Sequence, residues 1–259
     1  MRILILTYGT RGDVQPYVAL GIGLQAAGHA VTIATAKRFR DFVEGHGLEF
    51  FPMSDDLLVL LGTQQGRELL ENTDNAFEAL KQNIKLAGQM KPIMQGMLDD
   101  SRAAANAAEP DFILYHPKMP SGPQIAEKRG IGCALTTPVP LYVPTSERPF
   151  LGLPDIRLGG WYNRLTYRIV QAVTGIFLGG YIRDLRRDLD LPRQKRSGFL
   201  KTLNGSAVPV LHAFSQAVMP RPADWPESAY VTGYWFLDEG RHWSPPDELA
   251  AFLEAGPPP

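Results

Sequence analysis

Residues 3–29 read ILILTYGTRGDVQPYVALGIGLQAAGH, and the rest of the chain is arranged around them. The apolar run 3–6 has the length and continuity of a buried strand. Gly9, Thr10, Arg11, Gly12 and Asp13 follow as a tight turn. Val14, Val18, Ile22 and Ala26 then recur every four residues and predict a helix over 14–27. Pro16 falls in its first turn, where a missing N–H costs nothing, and Gly28 closes it as a C-terminal cap. The order is strand, glycine loop, helix. Free N–H groups and the positive end of the helix dipole at such a loop suit a diphosphate or a developing oxyanion. Glycine lets backbone approach a ligand, and Arg11 adds a cation. Asp13 is the odd member, because a carboxylate repels phosphate. It is either a helix N-cap or a general base held where a substrate hydroxyl arrives.

Two familiar phosphate loops are excluded. The chain has no G-x-x-x-x-G-K-[ST]. Its loop is G-x-x-G rather than G-x-G-x-x-G, and the second strand, 30–35, ends in Ala36-Lys37 instead of an acid. A nicotinamide enzyme is therefore disfavoured.

Alternation of strand and helix continues and gives an α/β class. Helix is expected over 39–44 and strand over 48–51, with His46 a solvated turn residue between glycines. Residues 66–108 read as helix, kinked or broken at Pro92, with Leu69, Leu70, Phe77, Leu80, Ile84 and Leu86 as apolar positions. Met90, Met94 and Met97 are ordinary core or the lining of an adaptable pocket, with core favoured. Strand 112–115 follows Glu109-Pro110-Asp111. His116 and Lys118 lie just past its carboxyl end, where ligands collect in open α/β sheets. Helix 123–129 and strand 132–137 come next. The loop 138–160 carries five prolines, and Tyr142, Phe150 and Leu151 form either an apolar lip or tucked-down packing. Helix 161–189 has an apolar centre bounded by Arg164, Arg168, Arg183, Arg186 and Arg187. It is a core helix or, as the rival reading, a peripheral contact with a membrane surface. A strand is expected at 207–211, a last strand or the turn into the linker at 230–236, and a short helix at 247–254 before Gly256 and three prolines.

Composition sets limits. The 259 residues carry a net charge of −1, which does not predict a strongly basic nucleic-acid surface. A single cysteine, Cys133, allows no internal disulfide framework and fits a reducing compartment. Signal-peptide and membrane-spanning patterns are absent, so a cytoplasmic location is expected, with peripheral attachment at the inner membrane surface as a variant. No metal-ligand spacing occurs in the sequence.

The loop Gly9-Thr10-Arg11-Gly12-Asp13-Val14-Gln15-Pro16-Tyr17, followed by Leu24-Gln25-Ala26-Ala27-Gly28-His29, resembles the opening of GT-B glycosyltransferases. The nearest group is the sterol glucosyltransferase-like branch of glycosyltransferase family 28, related to enzymes that glycosylate glycopeptide antibiotics. Its usual loop is G-S-R-G-D-x-x-P, so Thr10 replaces a serine and keeps a hydroxyl. Tyr115-His116-Pro117-Lys118, Ile125-Ala126-Glu127-Lys128, Pro220-Arg221-Pro222-Ala223-Asp224-Trp225-Pro226 and Thr232-Gly233-Tyr234-Trp235-Phe236 match it in order, over essentially the whole chain.

The resemblance implies a Rossmann-like parallel sheet with helices on both faces, one half of a GT-B fold. It implies an N-terminal acceptor-binding domain over 1–237 and an interdomain linker over 238–259. No His-Gly-Gly-x-Gly motif occurs, so the C-terminal donor-binding domain is expected to be absent from these residues. The implied reaction is inverting transfer of a hexose, glucose first, from a UDP-sugar to a hydroxyl of an apolar acceptor. No cofactor beyond that co-substrate is implied. Asp13 is the implied base. Thr10, Arg11, Gly12 and Asp13 are the implied donor contacts, and His116, Lys118 and Tyr142 the acceptor contacts. Many relatives carry a histidine in this loop, which is absent here. The rival readings are a binding-only module for an apolar acceptor, a subunit needing a separate donor-binding partner, and an unrelated nucleotide- or sugar-phosphate enzyme.

Overall fold

The structure, a computed structural model, describes residues 1–63, 76–193, 207–238 and 244–257, with backbone alone over 76–89. Leu69, Leu70 and the side chains of Phe77, Leu80, Ile84 and Leu86 lie outside that description, as do 239–243 and 258–259 of the expected linker.

Seven parallel strands form one sheet: β1 (Arg2–Leu6), β2 (Ala30–Ala36), β3 (Glu49–Met53), β4 (Phe112–Tyr115), β5 (Gly132–Thr137), β6 (Val210–His212) and β7 (Ala229–Val231). Their order is β3-β2-β1-β4-β5-β6-β7. The chain therefore winds outward from β1 in one direction, then returns to β4 and winds in the other. Alternate residues of each strand face opposite ways. Ile3, Ile5, Val31, Ile33 and Leu114 point into one apolar layer. Leu4, Leu6, Ala34, Ile113, Tyr115 and Leu135 point into the other. Both faces are covered, as a parallel sheet requires.

Helix α1 (Arg11–Ala26) covers the first face with Val14, Tyr17, Val18 and Gly21. This stripe advances by three and four residues, so Ala26, expected in it, ends exposed. The helix begins three residues earlier than expected. Pro16 therefore sits in its second turn, and lacks an N–H to give Gly12. At the other end Gly28, at φ 84°, makes a Schellman cap as expected. Its N–H donates to the Gln25 carbonyl at 2.9 Å, and the His29 N–H to that of Leu24 at 3.1 Å.

Short α2 (Arg40–Glu44) and an unforeseen α3 (Asp56–Gly62) flank β3 in sequence. Pro52 is tolerated in β3 because that strand is an edge. His46 is half-buried: its Nδ1 lies 2.7 Å from the Phe42 carbonyl.

The second face carries α4 (Ala76–Ala108), α5 (Ser121–Arg129) and α6 (Gly160–Asp188). Of the kink or break expected at Pro92, the break does not occur: α4 runs through it. Pro92 is on the exposed side, where a freed carbonyl can turn to water, while Met94, Met97 and Leu98 hold the other side in the core. Met94 and Met97 belong to the core, and Met90 packs against it partly buried. The seventh strand stops at Val231, short of Phe236. Trp235 instead folds back onto Tyr17, with ring centroids 5.8 Å apart. A last helix, α7 (Asp247–Glu254), buries none of its residues.

Candidate active site

The strand order reverses between β1 and β4. In an open α/β sheet the loops leaving those two carboxyl ends diverge and leave a crevice. The loop after β1 brings Gly9 to Asp13; the loop after β4 brings His116 to Lys118.

Asp13 is not the N-cap. Thr10 holds that position, and Asp13 is the third helical residue, the acidic partner of a capping box. Its Oδ2 accepts the Thr10 backbone N–H at 2.8 Å and the Thr10 hydroxyl at 3.2 Å. The Thr7 hydroxyl donates to the Asp13 carbonyl at 2.6 Å. Gly9, at φ 145°, is required here: a Cβ on it would sit 2.0 Å from Asp13 Oδ2. Gly12 has no such constraint, since its nearest obstacle would be the Thr10 hydroxyl at 3.7 Å.

The other carboxylate oxygen faces the β4 loop. Lys118 Nζ donates to Asp13 Oδ1 at 2.8 Å, and His116 Nε2 lies 3.5 Å from the same atom. His116 Nδ1 accepts the Lys118 backbone N–H at 3.2 Å, which fixes the neutral ring with its proton on Nε2, toward Asp13. Burial presses the His116 pKa down to about 4; the Asp13 charge opposes this and Lys118 assists it. At neutral pH the contact is therefore a neutral imidazole against a carboxylate, not an ion pair. Burial raises the Asp13 pKa, but hydrogen bonding to Lys118, its charge, the Thr10 N–H and His116 together outweigh that and hold it below the ordinary value. The Asp13 side chain is 17 % exposed and that of Lys118 is 51 % exposed, so the lysine is the movable partner.

Tyr17, unforeseen, supports this group. It is fully buried, lies edge-on to His116 with centroids 5.9 Å apart, and donates its hydroxyl to the Thr136 carbonyl at 2.6 Å. An aromatic residue one turn beyond Asp13 was the available signal in sequence.

The other candidates are placed differently. Arg11 turns along its own helix, donating to Gln15 at 2.9 Å with its guanidinium 4.8 Å from the Phe42 ring centroid. Tyr142 is half-buried at φ 73° in the β5–α6 loop and packs against the core of the second face. Phe150 is tucked edge-on to Tyr167, while Leu151 is exposed. Asp224 nails this loop down. It accepts the Thr145 hydroxyl at 2.6 Å, the Ser146 N–H and hydroxyl at 2.7 Å each, and Arg164 at 2.9 Å. Burial opposes its ionisation, but those donors hold its pKa well below the carboxylate range. A hollow of about 460 Å³ by Thr32, Glu49 and Phe51 contains none of the crevice residues.

The chain is 34 % identical to the sterol 3-beta-glucosyltransferases of Aspergillus clavatus and Aspergillus fumigatus, over 98 % of its own length. It spans only about a sixth of those relatives, 17 % of each. Among solved structures it superposes on the glycosyltransferase of kitacinnamycin with a TM-score of 0.57 at 19 % identity, covering 95 % of this chain and 55 % of that one. The calicheamicin glycosyltransferase gives 0.54 at 16 % identity, over 95 % and 54 %. These likenesses show the fold, one half of a GT-B architecture. Residues 3–139, more than half of the chain and both loops of the crevice, match the glycosyltransferase family 28 N-terminal domain, and the chain belongs to that family.

Proposed function

We propose that this domain supplies the acceptor site and the general base of a glycosyltransferase. That enzyme moves a hexose, glucose first, from a UDP-sugar to a hydroxyl of an apolar, sterol-like or natural-product acceptor. The observation that supports this most is Asp13. It is a carboxylate at the switch-point crevice, mostly buried, anchored through one oxygen to Thr10 and holding the other against a half-exposed lysine. A purely structural capping carboxylate does not need that second oxygen directed at the crevice.

In this reading the acceptor hydroxyl takes the place of Lys118 on Asp13 Oδ1. Its proton passes to the carboxylate as its oxygen bonds to the anomeric carbon. The bond from that carbon to the diphosphate oxygen breaks on the opposite face, and UDP leaves with the electron pair. The anomeric configuration inverts. His116 Nε2–H keeps the carboxylate oriented while the lysine moves. In this reading Thr10, Arg11 and Gly12 serve the donor side and Tyr142 the acceptor side, Arg11 by turning away from Gln15. A second, donor-binding half supplies most contacts to the nucleotide.

The test is transfer from UDP-glucose to a sterol by this domain joined to a donor-binding half, with the product's anomeric configuration read by NMR. A β-glucoside from the α-linked donor is expected. An α-glucoside excludes the single displacement, and UDP-sugar binding tight enough for turnover by these 259 residues alone favours a site wholly on this sheet.

A further inference from the structure

Thr232-Gly233-Tyr234-Trp235 has no part in the transfer step, yet it folds into a clasp behind the crevice. It starts where β6 and β7 end. The Thr232 N–H and hydroxyl both donate to the His212 carbonyl, at 2.9 and 3.1 Å. Gly233 follows at φ 80°, a left-handed turn that a side chain would strain. The turn brings the chain back so that the Trp235 indole N–H donates to the Thr232 hydroxyl at 3.0 Å. From Val231 to Asp238 burial alternates: Val231, Gly233, Trp235 and Leu237 are half-buried, and the residues between them are exposed. One side of the segment therefore lies on the molecule, where Trp235 and Leu237 pack on the apolar layer that α1 covers.

The indole meets Tyr17 edge-on, with ring centroids 5.8 Å apart and planes at 76°. Tyr17 meets His116 in the same way, at 5.9 Å and 78°. Such edge-to-face pairs are favourable and specific in geometry. The middle ring is fixed, because Tyr17 is fully buried and its hydroxyl donates to the Thr136 carbonyl at 2.6 Å. Three rings thus run from the segment leaving the sheet to the catalytic carboxylate, with His116 Nε2 3.5 Å from Asp13 Oδ1. The charged groups that face His116 are Asp13 and Lys118. Trp235 carries no charge, so its influence on His116 comes through the placement and burial of the rings.

We propose that Trp235 is a positioning residue for the Asp13 carboxylate. It closes the wall behind Tyr17, Tyr17 keeps His116 dry and in line, and His116 Nε2–H orients Oδ1. A movement of residues 232–237 is thereby transmitted to Asp13. That Trp235 serves sugar transfer rests on the proposed function; its hold on His116 does not.

The test begins with NMR titration of the His116 ring in this 259-residue chain, its signal assigned among the five histidines with His116→Gln. Trp235→Ala should admit water behind Tyr17 and raise the His116 midpoint toward the ordinary 6.5 by about one pH unit. Trp235→Phe keeps an edge-on ring and should titrate like the parent. Leu237→Ala takes packing from the same segment and layer, and should lower the melting temperature while leaving the midpoint in place. If Trp235→Ala does not fold, Gly233→Ala carries the test by straining the turn, with the same upward shift expected. In the domain joined to a donor-binding half, Trp235→Ala should lower kcat about tenfold, with KM for UDP-glucose near the parent's. The proposal is overturned by a midpoint that stays in place, by Leu237→Ala moving it equally, or by a moved midpoint with unchanged kcat. A joined parent that transfers no sugar defeats the proposed function instead, and the titration then decides whether Trp235 holds His116.

Discussion

Gly9 and Lys118 set the position and charge of the Asp13 carboxylate from opposite sides. Any Cβ at residue 9 overlaps Oδ2, so Gly9→Ala should push the carboxylate off the Thr10 N–H. A displacement near 1 Å costs about a hundredfold in transfer rate. Steady-state kinetics beside a folded circular dichroism spectrum would check this, and unchanged turnover would refute it. Lys118 lowers the Asp13 pKa by hydrogen bond and charge, against the opposing effect of burial. A base must be unprotonated, so the acid limb of the rate profile follows that pKa. Lys118→Met should move the limb to higher pH, and a limb that stays in place would remove Asp13 as its source. Asp13, His116 and Lys118 were legible in the sequence because each sits at a strand's carboxyl end within a recognisable motif. Their meeting was not legible. The Asp13–Lys118 contact spans 105 residues, and only the β1–β4 pairing closes that distance. Lys118, read as an acceptor contact, lies on that carboxylate for the same reason.

Among the elements, α6 is held at both ends and exposes one apolar face between them. Its C-terminal part is fixed by Arg186, 2 % exposed. The guanidinium donates to both Glu127 oxygens at 2.9 Å and to the Pro192 carbonyl at 2.7 Å. Arg186→Met leaves Glu127 partly buried without its cation and should cost about 3 kcal/mol in urea unfolding. Adding Glu127→Gln should restore part of that loss, because the unpaired charge is gone. A double variant no more stable than Arg186→Met alone would show that the packing, not the charge, mattered. Strand and helix types were readable from apolar periodicity. Helix starts and strand ends were not, because they are set by caps and neighbours. The N-terminus of α1 depends on Thr10 and Asp13 acting together, and β7 ends where Trp235 finds Tyr17. The exposed stripe of α6 is as apolar as a core stripe, and sequence alone could not say which side it faced.

For the molecule as a whole, the sheet order produces a crevice between β1 and β4, and the crevice gathers Asp13 and His116. His116, nearly buried, has its pKa pressed down to about 4 from the ordinary 6.5, first by burial. A depressed histidine pKa means the unfolded chain binds the proton more readily. The stability it permits is therefore full above about pH 6.5 and falls as pH drops from there toward about 4. His212, also buried and shifted downward by burial, acts in the same direction. Melting temperatures across that window should decline, and His116→Gln should flatten part of the decline; an unaltered slope would show that His116 contributes nothing to it. The α/β class and the GT-B half followed from the opening strand–loop–helix and the motifs after it. The side-chain network across the crevice followed only from the fold. The central claim is that Asp13 acts as a base and does more than close a capping box. Its most direct test is Asp13→Asn in this domain joined to a donor-binding half, with turnover and melting temperature measured on one preparation. Turnover about a hundredfold lower or more is expected, with stability reduced by no more than a lost cap, about 1 kcal/mol. Turnover near the parent's with a clearly lowered melting temperature would contradict the account and leave Asp13 a structural residue.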